Sequence, residues 1–186
     1  MSQVSTIKMT ARQFLELGED PPGVRLELVD GEVAVSPSPV PRHSFSVVML
    51  GRILGNYVED NDLGEVLMDV DTIFGEHDVR RPDLFYFTKA RRHFIGEKAI
   101  EGPPDLAVEV ISPGNERTDR RDKFKLYATG KVKHYWIVDP MQKTLEAYVL
   151  RAGKYVGGVS GSGSDVVKVP PFPKLEIPLA KLWRPK

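Results

Sequence analysis

The chain has 186 residues, 41% hydrophobic and 28% charged, an ordinary globular balance that suits a single domain over residues 1–186 with a sizeable core. There is no cysteine, which excludes disulfides and thiolate metal sites, and the four histidines (His43, His77, His93, His134) show no spacing of three or four residues to support a histidine zinc site. The formal net charge of zero excludes a general attraction for polyanions: residues 1–79 carry 5 Lys/Arg against 14 Asp/Glu, residues 80–134 carry 13 against 8, and residues 135–186 carry 8 against 4, so a polyanion would have to meet a local basic face.

The opening MSQVSTIKMT lacks the apolar stretch of a secretory signal, and no apolar run approaches the roughly 20 residues of a membrane span. A cytoplasmic protein with no membrane partner is the default expectation. Met9–Leu17 reads as a short helix with Thr10 as N-cap. In RLELVDGEVAV, residues 25–35, Asp30-Gly31 between alternating apolar residues predicts a hairpin. SPSPVP is a proline-rich loop. From His43 to Glu59, apolar residues at Val47, Leu50, Leu54, Tyr57 and Val58 follow a helical period. Glu65–Phe74 reads as one strand, GEHD as a turn, and Pro82–Phe87 as a second strand with Pro82 at its mouth. Residues 88–102 form a charged connection with some helical character. Leu106–Ile111 (LAVEVI) is a third strand, apolar on both faces except for one glutamate. SPGNERTDRRDKFKLYATG begins as a loop and continues as a helix, with Gly130 placed to take the left-handed position after it. HYWIV, residues 134–138, is a fourth strand, followed by a hairpin (TLEAYVL, KYVGGVS), a Gly/Ser loop at 160–164 and a proline-rich close. An α/β fold follows, a mixed sheet flanked by helices with a hairpin at each end.

Glu109 is the most informative residue. A carboxylate in a strand apolar on both sides loses solvation and is tolerated when paired or bound to a metal. An edge strand or a buried salt bridge is the plain alternative. Asp83, just after Pro82, could be a turn cap. With Glu109 on a neighbouring strand it could instead form a hard oxygen site of the kind magnesium prefers. The usual nuclease motif, PD…(D/E)xK, has its lysine two residues after the acid; that position is Ile111 here. The following helix offers a substitute. With Phe124, Tyr127 and Ala128 as its buried face, Lys123 falls at the edge beside Tyr127, at about 100° per residue, while Lys125 points further outward. Lys123 could then reach inward along an apolar border, or be an ordinary surface lysine.

The runs RLELVDGEV, SPSPVPRHS, VRRPDLFYF, PDLAVEVISP and DRRDKFKLYATGKVKHYWIVDP resemble the bacterial Uma-two family of "putative restriction endonucleases", within the PD-(D/E)XK nuclease superfamily. The resemblance covers about residues 9–150 and implies a restriction-endonuclease-like core, a Mg2+ (or Mn2+) cofactor and endonuclease activity on DNA. It makes Asp83 and Glu109 metal ligands and Lys123 the displaced lysine. It adds Glu27 and His43 as catalytic candidates, beside the plainer readings of a strand-surface carboxylate and a helix-start residue. Many members have glutamine after that histidine, where this chain has Ser44.

Two further readings stay open: a catalytically silent nuclease-fold module for nucleic-acid binding or assembly, and a small-molecule hydrolase using the same carboxylates. For a DNA partner, Arg81, Arg120 and Arg121 are the expected phosphate contacts, within a basic segment that also holds Arg80, Arg91, Arg92 and Arg117. Alternatively Arg120 and Arg121 pair with Glu116, Asp119 and Asp122 on a solvated helix. The proline-rich tail and its exposed-looking hairpin suggest a homodimer.

Overall fold

A computed structural model describes residues 8–114 and 116–185. The first seven residues of the opening segment lie outside them, as does Asn115 in the loop before the third helix. The elements run α1 (Ala11–Leu15), β1 (Val24–Val29), β2 (Glu32–Pro37), α2 (Pro41–Asp60), β3 (Gly64–Leu67), β4 (Thr72–Gly75), β5 (Asp78–Arg80), β6 (Leu84–Thr88) and β7 (Leu106–Val110). A π-helical turn (Thr118–Lys123) then leads into α3 (Phe124–Thr129), followed by β8 (His134–Asp139), β9 (Thr144–Arg151), β10 (Lys154–Ser162), β11 (Val166–Val167) and β12 (Ile177–Pro178). Short 3-10 turns at Lys89–Phe94 and Leu179–Leu182 complete the set.

Six strands form the main sheet in the order β10-β9-β8-β7-β6-β3, antiparallel except for the central β7–β8 pair. A second, antiparallel sheet has the order β2-β1-β5-β4. The Asp30-Gly31 turn joins β1 to β2 with both residues at positive φ (49° and 81°), the geometry a tight hairpin requires. Thr10 caps α1 through a reciprocal pair with Gln13. Proline 41 opens α2 in its first turn, where its missing N–H has no consequence.

The main sheet is covered on both faces. On one side α2 contributes Leu50, Leu54 and Val58 to a core with Val108, Val110, Trp136 and Val138. On the other, Tyr127 of α3 packs with Ala107, Ile111, Tyr135 and Ile137. The tail joins the first of these layers. Phe172, Leu175, Ile177 and Leu182 are buried in it, Trp136 donates to the carbonyl of Pro170 (2.7 Å), and Ser46 donates to that of Leu182 (2.7 Å). The tail's apolar residues thus serve the chain's own core, which removes the tail as a ground for a dimer.

Three local expectations are corrected. The single strand over 65–74 is split: β3 joins the main sheet and β4 the second one, because Asp69 turns the chain at φ 56° and is held there by Arg25. The Gly/Ser loop begins later than its composition suggests, since β10 runs to Ser162 against β9. Lastly, Lys131 (φ 63°), not Gly130 (φ −71°), takes the left-handed position after α3, with Lys131 and Val132 donating back to Ala128 and Tyr127 in a Schellman closure. Glycine stands one residue earlier for a different reason: a Cβ at 130 would lie 3.1 Å from the Phe74 ring.

Candidate active site

Alternation along β7 sends Val108 and Val110 toward α2 and puts Ala107, Glu109 and Ile111 on the α3 side. All five strand residues are buried, Glu109 to 2% exposure. Leu84 of β6 stands opposite Val108, so Asp83, one residue earlier, comes level with Glu109. Asp83 is held from several sides. Its Oδ2 accepts the Val110 N–H at 2.8 Å and lies 3.0 Å from His43 Nε2, at the start of α2. Arg25 Nη1 stands 3.5 Å from Oδ1.

The π-helical turn supplies the cation. Lys123 Nζ donates to Glu109 Oε2 (2.8 Å) and lies 3.3 Å from Asp119, one turn before it. Tyr127, one turn after it, donates to the other oxygen, Oε1, at 2.5 Å. Asp119 and Lys123 are both buried, and Tyr135 donates to the Asp119 carbonyl (3.0 Å), satisfying a backbone group of the widened turn. Both Glu109 oxygens therefore have donors, yet each retains a lone pair for a further partner.

Glu27 enters from β1. Its Oε1 accepts the Arg81 N–H at 2.9 Å, and its Oε2 faces Arg80 Nη1 at 3.8 Å. Glu27, Asp83, Glu109, Asp119, Lys123 and His43 together line a cleft of roughly 290 Å³.

This acidic cluster shapes the titrations. Burial, with Asp83 and Asp119 nearby, pushes Glu109 up to about 8 against the pull of Lys123. Burial likewise raises Asp119, helped by Asp83 and Glu27. Burial would raise Asp83 too, but His43, Lys123 and the Val110 N–H outweigh it and hold it below the usual carboxylate range. For Lys123 burial opposes the charge, while Glu109, Glu27, Asp119 and Asp83 more than restore it, so the ammonium keeps its proton. Among the described residues no three His, Asp or Glu form a ready-made metal cage. The donor set is nonetheless hard oxygen, and a buried cluster in which burial and neighbouring carboxylates raise Glu109 and Asp119 fits a small divalent cation that draws its remaining ligands from water and substrate.

The five expected catalytic residues thus converge. The expected DNA-contacting arginines do not behave alike. Arg81 is engaged by Asp71 (3.0 Å) and Asp20, and the pull of these two carboxylates overcomes the effect of burial and raises its pKa. Arg120 pairs with Glu146, Asp139 (3.5 Å) and Glu116 (3.4 Å). Only Arg121 is exposed and without an ion pair among the described residues. Of the carboxylates offered as alternative partners for Arg120 and Arg121, Glu116 pairs with Arg120, but Asp119 turns inward to Lys123. Sequence reasoning missed the site roles of Asp119, Tyr127 and Arg80. The first two had a signal, since they lie four residues either side of Lys123 and share its helix face; Arg80 had none.

The family model described as "Putative restriction endonuclease" (Uma2) matches residues 11–180. No curated protein sequence matches the chain. Among solved structures, a "putative nuclease belonging to DUF820" from Anabaena variabilis is similar at TM-score 0.77 and 22% identity, covering 94% of this chain and 97% of that one; the likeness establishes the fold as restriction-endonuclease-like. The type IIG restriction endonuclease BpuSI superposes at TM-score 0.40 with 16% identity, over 66% of this chain and 14% of that one, a likeness too slight to bear on function.

Proposed function

The chain belongs to the Uma2 family, and from that premise we propose that it is a divalent-metal-dependent endonuclease that hydrolyses phosphodiester bonds of DNA. The observation that carries this reading is the meeting of Asp83, Glu109 and Lys123, from the residue before β6, from β7 and from the π-helical turn, in one cleft. Asp83 and Glu109 would hold Mg2+ or Mn2+, which when bound supplies a water of lowered pKa and a Lewis acid for the phosphate.

The chain's own residues do the rest. Lys123 stays protonated and offers a fixed positive charge where negative charge develops on the phosphate oxygens. His43 and the Val110 N–H fix the orientation of Asp83. Tyr127 fixes Glu109 by one oxygen. Glu27, anchored by the Arg81 N–H, adds negative charge at the cleft's edge for a cation or a water. Arg121, exposed on the same turn, is available to a neighbouring phosphate. Cutting both strands together would call for two sites, as in a homodimer.

A second reading, a silent nuclease-fold module for nucleic-acid binding or assembly, draws support from the protein donors already on both Glu109 oxygens. Supercoiled plasmid and single-stranded DNA, incubated with and without Mn2+, separate the two. The endonuclease should nick only with the metal, and Asp83→Asn and Glu109→Gln should each lower the rate at least about 100-fold, the scale of losing one electrostatic contact to the transition state. DNA binding without metal-dependent cutting would establish the module instead. Absence of nucleic-acid affinity even at low salt would point to the small-molecule hydrolase.

A further inference from the structure

A second cavity of roughly 250 Å³ adjoins the cleft, with His43 lining both. Its chemistry is the reverse of its neighbour's. Ile111, Pro140 and Met141 form apolar walls, Arg42 and Arg184 stand exposed at its rim, and no carboxylate lines it. Arg42 donates to the Met141 thioether, which braces one wall. With the ammonium delivered from the π-helical turn, position 111 at the end of β7 is free to be isoleucine, and its side chain becomes a wall.

His43 provides a further observation. The residue is 6% exposed, its Nε2 faces Asp83, and its Nδ1 is buried with no hydrogen-bond partner. A buried ring nitrogen without a partner carries a desolvation cost. The two ring nitrogens diverge, so Nδ1 faces away from Asp83, and a ligand's polar atom would pair with it by opening the packing that buries it.

Resting on the endonuclease reading, we propose that this second cavity receives one unpaired nucleobase of the DNA, next to the phosphate held in the acidic cleft. The apolar walls take the flat heterocycle, His43 Nδ1 meets one of its edge or sugar polar atoms, and Arg42 and Arg184 take the flanking phosphates. The room is smaller than a pocket for a drug-sized molecule and suits a single ring system. Two arginines with no opposing carboxylate match a phosphate backbone. A base can reach such a cavity only outside the stack, so the favoured substrate contains an unpaired nucleotide.

The test compares three labelled duplexes by fluorescence anisotropy in Ca2+ buffer, with strand integrity checked on a gel. One duplex is fully paired, one carries a single unpaired adenosine, and one carries an abasic residue in its place. The full-length protein should bind the unpaired adenosine about tenfold tighter than the abasic form, the scale of one base stacked on protein side chains. Met141→Ala, which truncates an exposed part of the apolar wall, should reduce that preference, with an unchanged Tm showing that the variant is folded. Equal binding of the unpaired and abasic duplexes overturns the inference. If plasmid is still cut with Mn2+ in that case, only the base cavity fails and the endonuclease reading stands. Absence of binding and of cutting overturns both.

Discussion

Replacing Lys123 with methionine removes the one ammonium among Glu27, Asp83, Glu109 and Asp119 while keeping much of the side chain's volume. Nζ lies 2.8 Å from Glu109 and 3.3 Å from Asp119, and the residue is 9% exposed, so water cannot readily replace it. Removing one partner of a buried pair costs about 3–5 kcal/mol when the remaining charge has to stay ionised. Here the survivors can take up protons instead. Glu109 already sits at about 8, above its ordinary 4.5, and the loss of Lys123 raises it further. A carboxyl raised on folding contributes stability that is fully present below its unfolded pKa and is lost as pH rises through its folded one. Near pH 5 Glu109 is neutral with or without Lys123, and the variant loses chiefly one hydrogen bond, about 1–2 kcal/mol. Near pH 8.5 wild type ionises most of Glu109 beside an ammonium, whereas the variant keeps it protonated, so the difference grows by about 1 kcal/mol, the cost of holding a proton half a unit above the wild-type value of about 8. For a chain of this length each kcal/mol moves Tm by roughly 2–4 °C. Thermal unfolding at the two pH values should therefore show a Tm deficit a few degrees larger at pH 8.5. A deficit equal at both, or none at either, would refute the picture of Lys123 as the buried counter-charge of Glu109.

Binding of Mn2+ through Asp83 and Glu109 should release protons and strengthen as pH rises toward about 8, because Glu109 must ionise to ligate; calorimetry in buffers of different ionisation enthalpy reads the proton directly, and pH-independent affinity would argue against Glu109 as ligand. Tyr127→Phe removes the donor on Glu109 Oε1 and should cost about 1–3 kcal/mol in urea unfolding. Lys131→Gly, at an exposed left-handed position, should raise stability by about 0.5 kcal/mol, whereas an unchanged or lower value would mean that the Schellman closure needs the lysine side chain.

The sequence is most legible where one period dominates. In α2 the apolar spacing from Val47 to Val58 marks the buried stripe, and the helix extends beyond the expected span by only two residues at the start and one at the end. LAVEVI, apolar at every position but one, is the buried centre of the main sheet, and its single carboxylate is the hub of the cleft. Legibility fails where tertiary contacts set the backbone. Nothing within EVLMDVDTIF announces a break at Asp69, because the partner holding it, Arg25, lies 44 positions away. The proline-rich tail has no period, so its service to the core through Phe172, Leu175 and Leu182 was hidden as well.

The lysine shows how a site can be preserved while its motif is not. On the strand, the second residue after the acid shares its face, and a lysine there would reach the Glu109 carboxylate from the same element. Here the ammonium comes from a different element, and a regular α-helical phase puts Lys123 only at the edge of the buried face. The π-helical turn at Thr118–Lys123 changes that phase, and both Lys123 and Asp119 are buried. The widened turn leaves a backbone carbonyl to be satisfied elsewhere, and the hydroxyl of Tyr135, on β8 beneath it, donates to that of Asp119. With isoleucine at 111, the ammonium reaches Glu109 from the π-helical turn, fourteen residues further along the chain. Pattern reading along the chain can find the lysine; the winding that drives it inward depends on β8, which no local window contains.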